Sequence, residues 1–213
     1  AAAEELVRAA GAGGQIALAG GSTPRRAYEL AAALERDWSR AALWLGDDRC
    51  VDAADPRSNY RLARESLVDR LERPPQLHRI PTERGPEAAA DAYDAELAGV
   101  TLDLALMGLG PDGHTASLFP NAPALEERGR RAVAAEPGME PWVARVTMTV
   151  PVFNAARLVL FLVSGEDKAD AVARAFGGPA DAAMPASLIR SEAGRTVAVL
   201  DLAAARRLTR PSE

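Results

Sequence analysis

The sequence predicts an α/β protein, a Rossmann-like three-layer sandwich built on a mainly parallel sheet. Three observations carry this. Short apolar runs alternate with longer segments of helical period, the signature of repeated βαβ units. Aromatic residues are only 5% of the 213, against 48% hydrophobic, so the core rests on Ala, Leu and Val, which suits layered packing better than an aromatic-rich β-sandwich. Glycine-bearing polar turns follow several apolar runs, where strand-to-helix connections belong.

Taken in order, the strand candidates are residues 15–19, 43–45, 102–107, 143–149, 158–163 and 196–200, six strands for one sheet. Between them, Ala27, Leu30, Ala31, Leu34 and Trp38 fall on one helical face. Tyr60, Ala63, Leu67 and Leu71 give a second stripe, residues 88–97 a less regular helix, and Ala169, Val172, Ala173 and Phe176 a further one. The Gly/Pro-rich stretches 73–85 and 120–141 are expected loops, and no change of composition flanks either, so residues 1–213 are expected to form one domain. The oligomeric state stays open between a monomer and a weak dimer.

Composition narrows the function classes. A net charge of −5 lacks the basic face that nucleic acids or anionic membranes require. The pairs Arg25-Arg26, Arg130-Arg131 and Arg206-Arg207 are isolated among acids and read as solvated surface. The single cysteine, Cys50, rules out an internal disulfide and reads as a small buried residue, and no apolar run reaches the roughly 18 residues of a spanning helix. The opening residues carry neither an initiator Met nor a basic-then-apolar leader, which predicts a cytoplasmic protein whose native N-terminus extends further.

In open α/β sheets ligands bind beyond the carboxyl ends of strands, which directs attention to four junctions. Gly20-Gly21-Ser22-Thr23-Pro24 joins strand to helix, with Ser22 or Thr23 able to cap and free N–H groups suited to a phosphate; an ordinary capped turn has the same pattern. Gly46-Asp47-Asp48-Arg49 offers two carboxylates and a guanidinium fork, either to steady a carboxylate, phosphate or developing oxyanion, with a buried Asp47 holding Arg49, or as no more than a local ion pair at a strand end. Residues 108–114 place His114 two positions after Asp112 in a glycine-rich loop, where a carboxylate-oriented imidazole could activate water, although a lone loop histidine is more often surface decoration. His78 has only that second reading. Residues 164–168 put Lys168 in a first helical turn, which calls either for a bound anion or for pairing with Glu166 or Asp167.

Two patterns mislead. Residues 108–113 formally match GxGxxG, but Pro111 removes a donor from the would-be cradle and no acidic strand end follows about 20 residues on. Pro24 stands where a nucleophile elbow needs glycine. Without HExxH or clustered Cys/His spacing, no metal or cofactor is expected.

The segments ALAGGSTP, LGDDRCVDAADPRSNYRLARESL, MGLGPDGHTASLFP, ARVTMTVPVFNAARLVLFLVSGEDKADAV and PASLIR, collinear across nearly the whole chain, resemble the 6-phosphogluconolactonase family. The resemblance implies the fold shared with glucosamine-6-phosphate isomerase and ribose-5-phosphate isomerase, and hydrolysis of 6-phospho-D-glucono-1,5-lactone to 6-phosphogluconate in the pentose phosphate pathway. It places the catalytic histidine on His114, its orienting aspartate on Asp112, the GDER arginine on Arg49, and substrate contacts on Gly20, Gly21, Ser22, Thr23, Arg145 and Lys168. Asp47 occupies a position that is acidic in the deaminase relatives as well. Asp48 stands where the family more often has Glu, which leaves its role open. Two alternatives follow from the same resemblance. Deaminase relatives carry a glutamate five residues after the histidine, where this chain has Phe119. Sugar-phosphate sensors reuse the fold with a DNA-binding appendage, and no helix-turn-helix segment precedes Gly14.

Overall fold

The computed structural model describes residues 1–208. In chain order the elements are α1 (Ala2–Gly11), β1 (Gln15–Leu18), α2 (Ser22–Leu34), β2 (Ala42–Leu45), β3 (Asp47–Arg49), α3 (Asn59–Ser66), β4 (Gln76–His78) and α4 (Pro86–Glu96). Then follow β5 (Leu104–Met107), β6 (Ala132–Ala135), β7 (Arg145–Met148), α5 (Val150–Asn154), β8 (Leu158–Val163), α6 (Ala169–Gly177), β9 (Arg195–Leu200) and α7 (Leu202–Ala205).

The main sheet has six strands in the order β4-β2-β1-β5-β8-β9, every pair parallel, with helices flanking it. The order runs outward from β1 through β2 to β4, then restarts beside β1 with β5. This reversal opens a crevice between the carboxyl ends of β1 and β5, since the connections leave in opposite directions. Strand β5 is buried throughout, as a central parallel strand covered on both faces must be. Two tyrosines close off neighbouring strands. The Tyr28 hydroxyl donates to Ala19 O at 2.8 Å and accepts from Ala19 N at 2.9 Å. The Tyr93 hydroxyl does the same for Leu45, at 2.9 Å to each atom. Leu, Ala and Val dominate the core as composition suggests, yet its largest fully buried side chains are Trp38, Tyr28, Tyr93, Phe153 and Phe161.

Five of the six expected strands lie in this sheet. The segment 143–149 does not: as β7 it forms the centre of a separate antiparallel sheet, β3-β7-β6. The sixth strand of the main sheet is instead β4, inside the expected loop 73–85, and β6 lies inside the expected loop 120–141. Three residues of β4 are too few to show a period, and β6 reads Ala-Val-Ala-Ala, indistinguishable from the alanine bias of the whole chain. Strand β3 is Asp-Asp-Arg, against β propensity; it forms because both carboxylates find buried donors. The buried face of α2 is Pro24, Ala27, Tyr28, Ala31 and Ala32, while Leu30 and Leu34 are exposed and Trp38 lies beyond the helix. No helix among the described residues is long and apolar enough to cross a membrane.

Candidate active site

At the β1/β5 crevice the structure has a cleft of about 270 Å³. It is lined by Gly20, Gly21, Ser22, Thr23, Asp47, Arg49, His114, Arg145 and Lys168, all singled out from the sequence. Asp112 stands behind His114.

The loop after β5 builds the imidazole's setting. Gly110 N donates to His114 O at 2.8 Å, and Gly113 N to Gly110 O at 3.0 Å, curling the chain back on itself. Gly113 has φ +92°, and a Cβ there would lie 2.3 Å from Met184 Sδ, so only glycine fits. His114 Nδ1 lies 2.5 Å from Asp112 Oδ1, which also accepts from His114 N at 3.2 Å. Burial pushes the Asp112 carboxyl up, but its hydrogen bond and charge interaction with His114, with further backbone donors, outweigh this and hold it below its ordinary value. An ionised Asp112 accepts a hydrogen bond from Nδ1–H, the tautomer that leaves the Nε2 lone pair free. The imidazole also packs against Phe119, ring centres 5.1 Å apart. His114 is therefore held by the fold rather than displayed as surface decoration.

Strand β3 corrects a second expectation: Asp47 does not hold Arg49. Asp47 is buried and accepts from Ser117 Oγ at 2.6 Å and Asn59 Nδ2 at 3.1 Å. Arg49 donates from Nη1 to Arg57 O at 2.6 Å and Asn59 Oδ1 at 3.0 Å. Asp48 points elsewhere. Its carboxylate accepts from Asn59 N (2.7 Å), Tyr60 N (3.0 Å), Arg49 N (2.8 Å) and Ser58 Oγ (3.1 Å), binding the N-terminus of α3 to β3. Burial pushes it up to about 6 despite those backbone donors. Asp48 is thus a structural carboxylate.

Among the described residues, neither Arg49 nor Arg145 has an acidic partner. Arg49 and Arg145 are direct cross-strand partners of β3 and β7, an arrangement that repels unless an anion lies near. Arg145 is only 3% exposed, lies over the Phe119 ring and donates to Met139 O at 3.1 Å and Pro141 O at 3.2 Å. Burial, then the charge of Arg49, lowers its pKa. The Nε atoms of both arginines are buried without a partner. Lys168, the only lysine in the sequence, adds a third cation and pairs with Asp167 at 3.2 Å, while Glu166 pairs with Arg206. Gly21, at φ +108°, precedes α2, and neither Ser22 nor Thr23 caps it. Thr23 Oγ1 instead meets Ser164 Oγ at 2.9 Å, tying the β1 turn to the end of β8.

The sequence does not single out Asn59 or Ser117, and it offers Ser164 only as part of the 164–168 junction; a signal existed for Asn59, which follows Ser58 at the helix start of the DPRSNYRL segment. His78 is no surface ornament either, being stacked on Trp44 at 3.7 Å with Nδ1 2.5 Å from Glu96 Oε1. Cys50 is partly buried and its thiol is raised to about 11, chiefly by burial. Of the arginine pairs, Arg25 meets Glu65, Arg26 meets Glu29, Arg130 meets Asp91 and Arg207 meets Asp170 in ion pairs near the surface, but Arg131 is not solvated surface: its Nη2 donates to Val100 O and its Nε is buried, because its guanidinium folds inward onto the end of the segment after α4.

Known proteins resemble this chain in sequence and in fold. Residues 1–198 match the family model described as glucosamine-6-phosphate isomerases/6-phosphogluconolactonase. A 6-phosphogluconolactonase of Streptomyces coelicolor is 40% identical over 190 residues, covering 82% of this chain and 72% of that protein. A human 6-phosphogluconolactonase is 38% identical over 211 residues, 93% of this chain and 82% of that one. The solved structure of 6-phosphogluconolactonase from Trypanosoma brucei superposes with a TM-score of 0.86 at 29% identity, covering 97% and 93% of the two chains.

Proposed function

The chain belongs to the glucosamine-6-phosphate isomerase/6-phosphogluconolactonase family, and from that premise we propose that His114 is the general base with which it opens its lactone. The chain is an enzyme of the pentose phosphate pathway that hydrolyses a phosphorylated sugar lactone. In our reading the substrate is 6-phospho-D-glucono-1,5-lactone and the product 6-phosphogluconate. One domain suffices, in the cytoplasm, without metal, cofactor, nucleic acid or membrane.

The observation that carries the mechanism is the His114–Asp112 pair, with Nε2 free, at a cleft whose guanidinium groups lack acidic partners. Arg145, Lys168 and the N–H groups of the turn at Ser22 and Thr23 hold the phosphate. Gly20 and Gly21 let the backbone approach it closely. The lactone carbonyl then lies over His114, which takes a proton from water through Nε2 as the oxygen attacks C1. Arg49 stabilises the tetrahedral oxyanion. Collapse expels the ring oxygen, which takes the proton back from the imidazolium. Asp112 keeps the ring oriented and balances its charge, and Asp47 fixes Ser117 and Asn59 beneath the site.

Phe119 argues against amino-sugar isomerisation, because a buried ring packed between His114 and Arg145 cannot move protons. The intact His–Asp pair argues against a sensor. The test is hydrolysis of freshly made 6-phosphogluconolactone, coupled to 6-phosphogluconate dehydrogenase with the spontaneous rate subtracted. Wild type should exceed background and His114→Ala should not, with no ammonia from glucosamine 6-phosphate. A wild-type rate equal to background, with 6-phosphogluconate still bound, would favour the sensor.

A further inference from the structure

We propose that Asn59 is a positioning residue that insulates Arg49 from Asp47. The two lie two residues apart on β3, so their side chains leave the same face, and nothing in their chemistry prevents a direct ion pair. Asn59 intervenes. Its Nδ2 donates to Asp47 O at 2.9 Å and Asp47 Oδ1 at 3.1 Å, and its Oδ1 accepts from Arg49 Nη1 at 3.0 Å. One amide thus satisfies an anion with its donor end and a cation with its acceptor end, and the partners fix which end faces which. A carboxylate could not do both.

The position is built for this residue. Asn59 is 3% exposed, its N–H donates to Asp48, and a Cβ at Gly20 would fall 2.1 Å from its Oδ1. With Nη1 fixed by Asn59 and Arg57 O, the rest of the guanidinium, including the unpartnered Nε, stays unneutralised beside the cleft. Without the insulator Arg49 turns onto Asp47 and its charge is quenched.

The inference rests on the lactonase reading for its ligand, so the experiment includes an arm without one. Asn59→Ser removes both ends of the bridge, and Asn59→Asp, equal in volume, is a second variant should the first fail to melt cooperatively. Either should weaken 6-phosphogluconate binding by calorimetry about tenfold. Asp47→Asn added to Asn59→Ser should return the affinity to within about threefold of wild type, a rescue that lost packing would not give, whereas added to Asn59→Asp it should not, because the quenching carboxylate is then residue 59 itself. In the crystal structure of the unliganded variant, Arg49 should lie on the Asp47 carboxylate, or in Asn59→Asp on residue 59. An unchanged affinity, a loss in Asn59→Ser that Asp47→Asn does not reverse, or a guanidinium that keeps its place overturns the assignment. Wild type that binds no 6-phosphogluconate tells against the lactonase reading instead, and the unliganded structure still decides the role of Asn59.

Discussion

Gly110 offers a direct test of the catalytic pair, because its missing side chain is where the pair sits. A Cβ at this position would lie 2.0 Å from His114 Nδ1 and 2.6 Å from Asp112 Oδ1, against 3.4 Å for ordinary contact. Gly110 is not among the residues of positive φ, so alanine strains no backbone and the effect of Gly110→Ala is steric alone. The imidazole must retreat by about 1.4 Å, and a displacement near 1 Å costs on the order of 10²-fold in rate. We expect kcat for lactone hydrolysis to fall at least that far. The chain has two histidines, so the imidazole resonances report the cause: His114 should shift and His78 should not. Gly177→Ala, at the end of α6 and away from the cleft, meets nothing within 4 Å and should leave kcat within about threefold. A Gly110→Ala enzyme with near-parental kcat, or equal losses in both variants, refutes the reasoning.

Two stability measurements follow from the buried polar groups. Burial raises Asp48 to about 6, above the ~3.9 of an unfolded chain. The folded state therefore binds that proton more tightly, and the stabilisation is full below about pH 4 and lost as pH rises through 6. Asp48→Asn cannot titrate, so its melting temperature relative to the parent should improve from pH 4.5 to 7.5; a constant difference would contradict the shift. Tyr93→Phe leaves Leu45 N–H and C=O buried without the 2.9 Å partners they now have. It should cost about 2 to 4 kcal/mol in urea denaturation at unchanged m, and a loss under about 0.5 kcal/mol would show that water replaces the hydroxyl.

The parts of the fold that were legible in the sequence are those where one physical demand dominates locally. Buried parallel strands such as 158–163 must be apolar throughout, and the turns after β1 and β5 must carry glycine, so both announce themselves. The His114–Asp112 pair was legible because both partners sit in one tight loop. What was hidden depends on distant partners. Strand β3 looks like a polar turn until Ser117, Ser58 and Asn59 are seen to satisfy its acids. The expectation that Asp47 pairs with Arg49 followed from their proximity in sequence and failed because α3 inserts an amide between them. Helix α1 has a regular buried stripe, Ala2, Leu6 and Ala10, but in so alanine-rich a chain two of its three members carry no signal.

Lys168 sets this chain apart as a chemical object. Every other residue among its 25 lysines and arginines is arginine, and guanidinium groups resist acylation and imine formation under conditions where amines react. Amine-directed reagents therefore find one side chain on the whole chain, and that side chain lines the cleft. A fluorophore or an aldehyde coupled there reports on occupancy of the site without engineering a residue for it, and protection by a phosphorylated ligand can be read from the label on the peptide that holds Lys168, apart from label on the terminal amine.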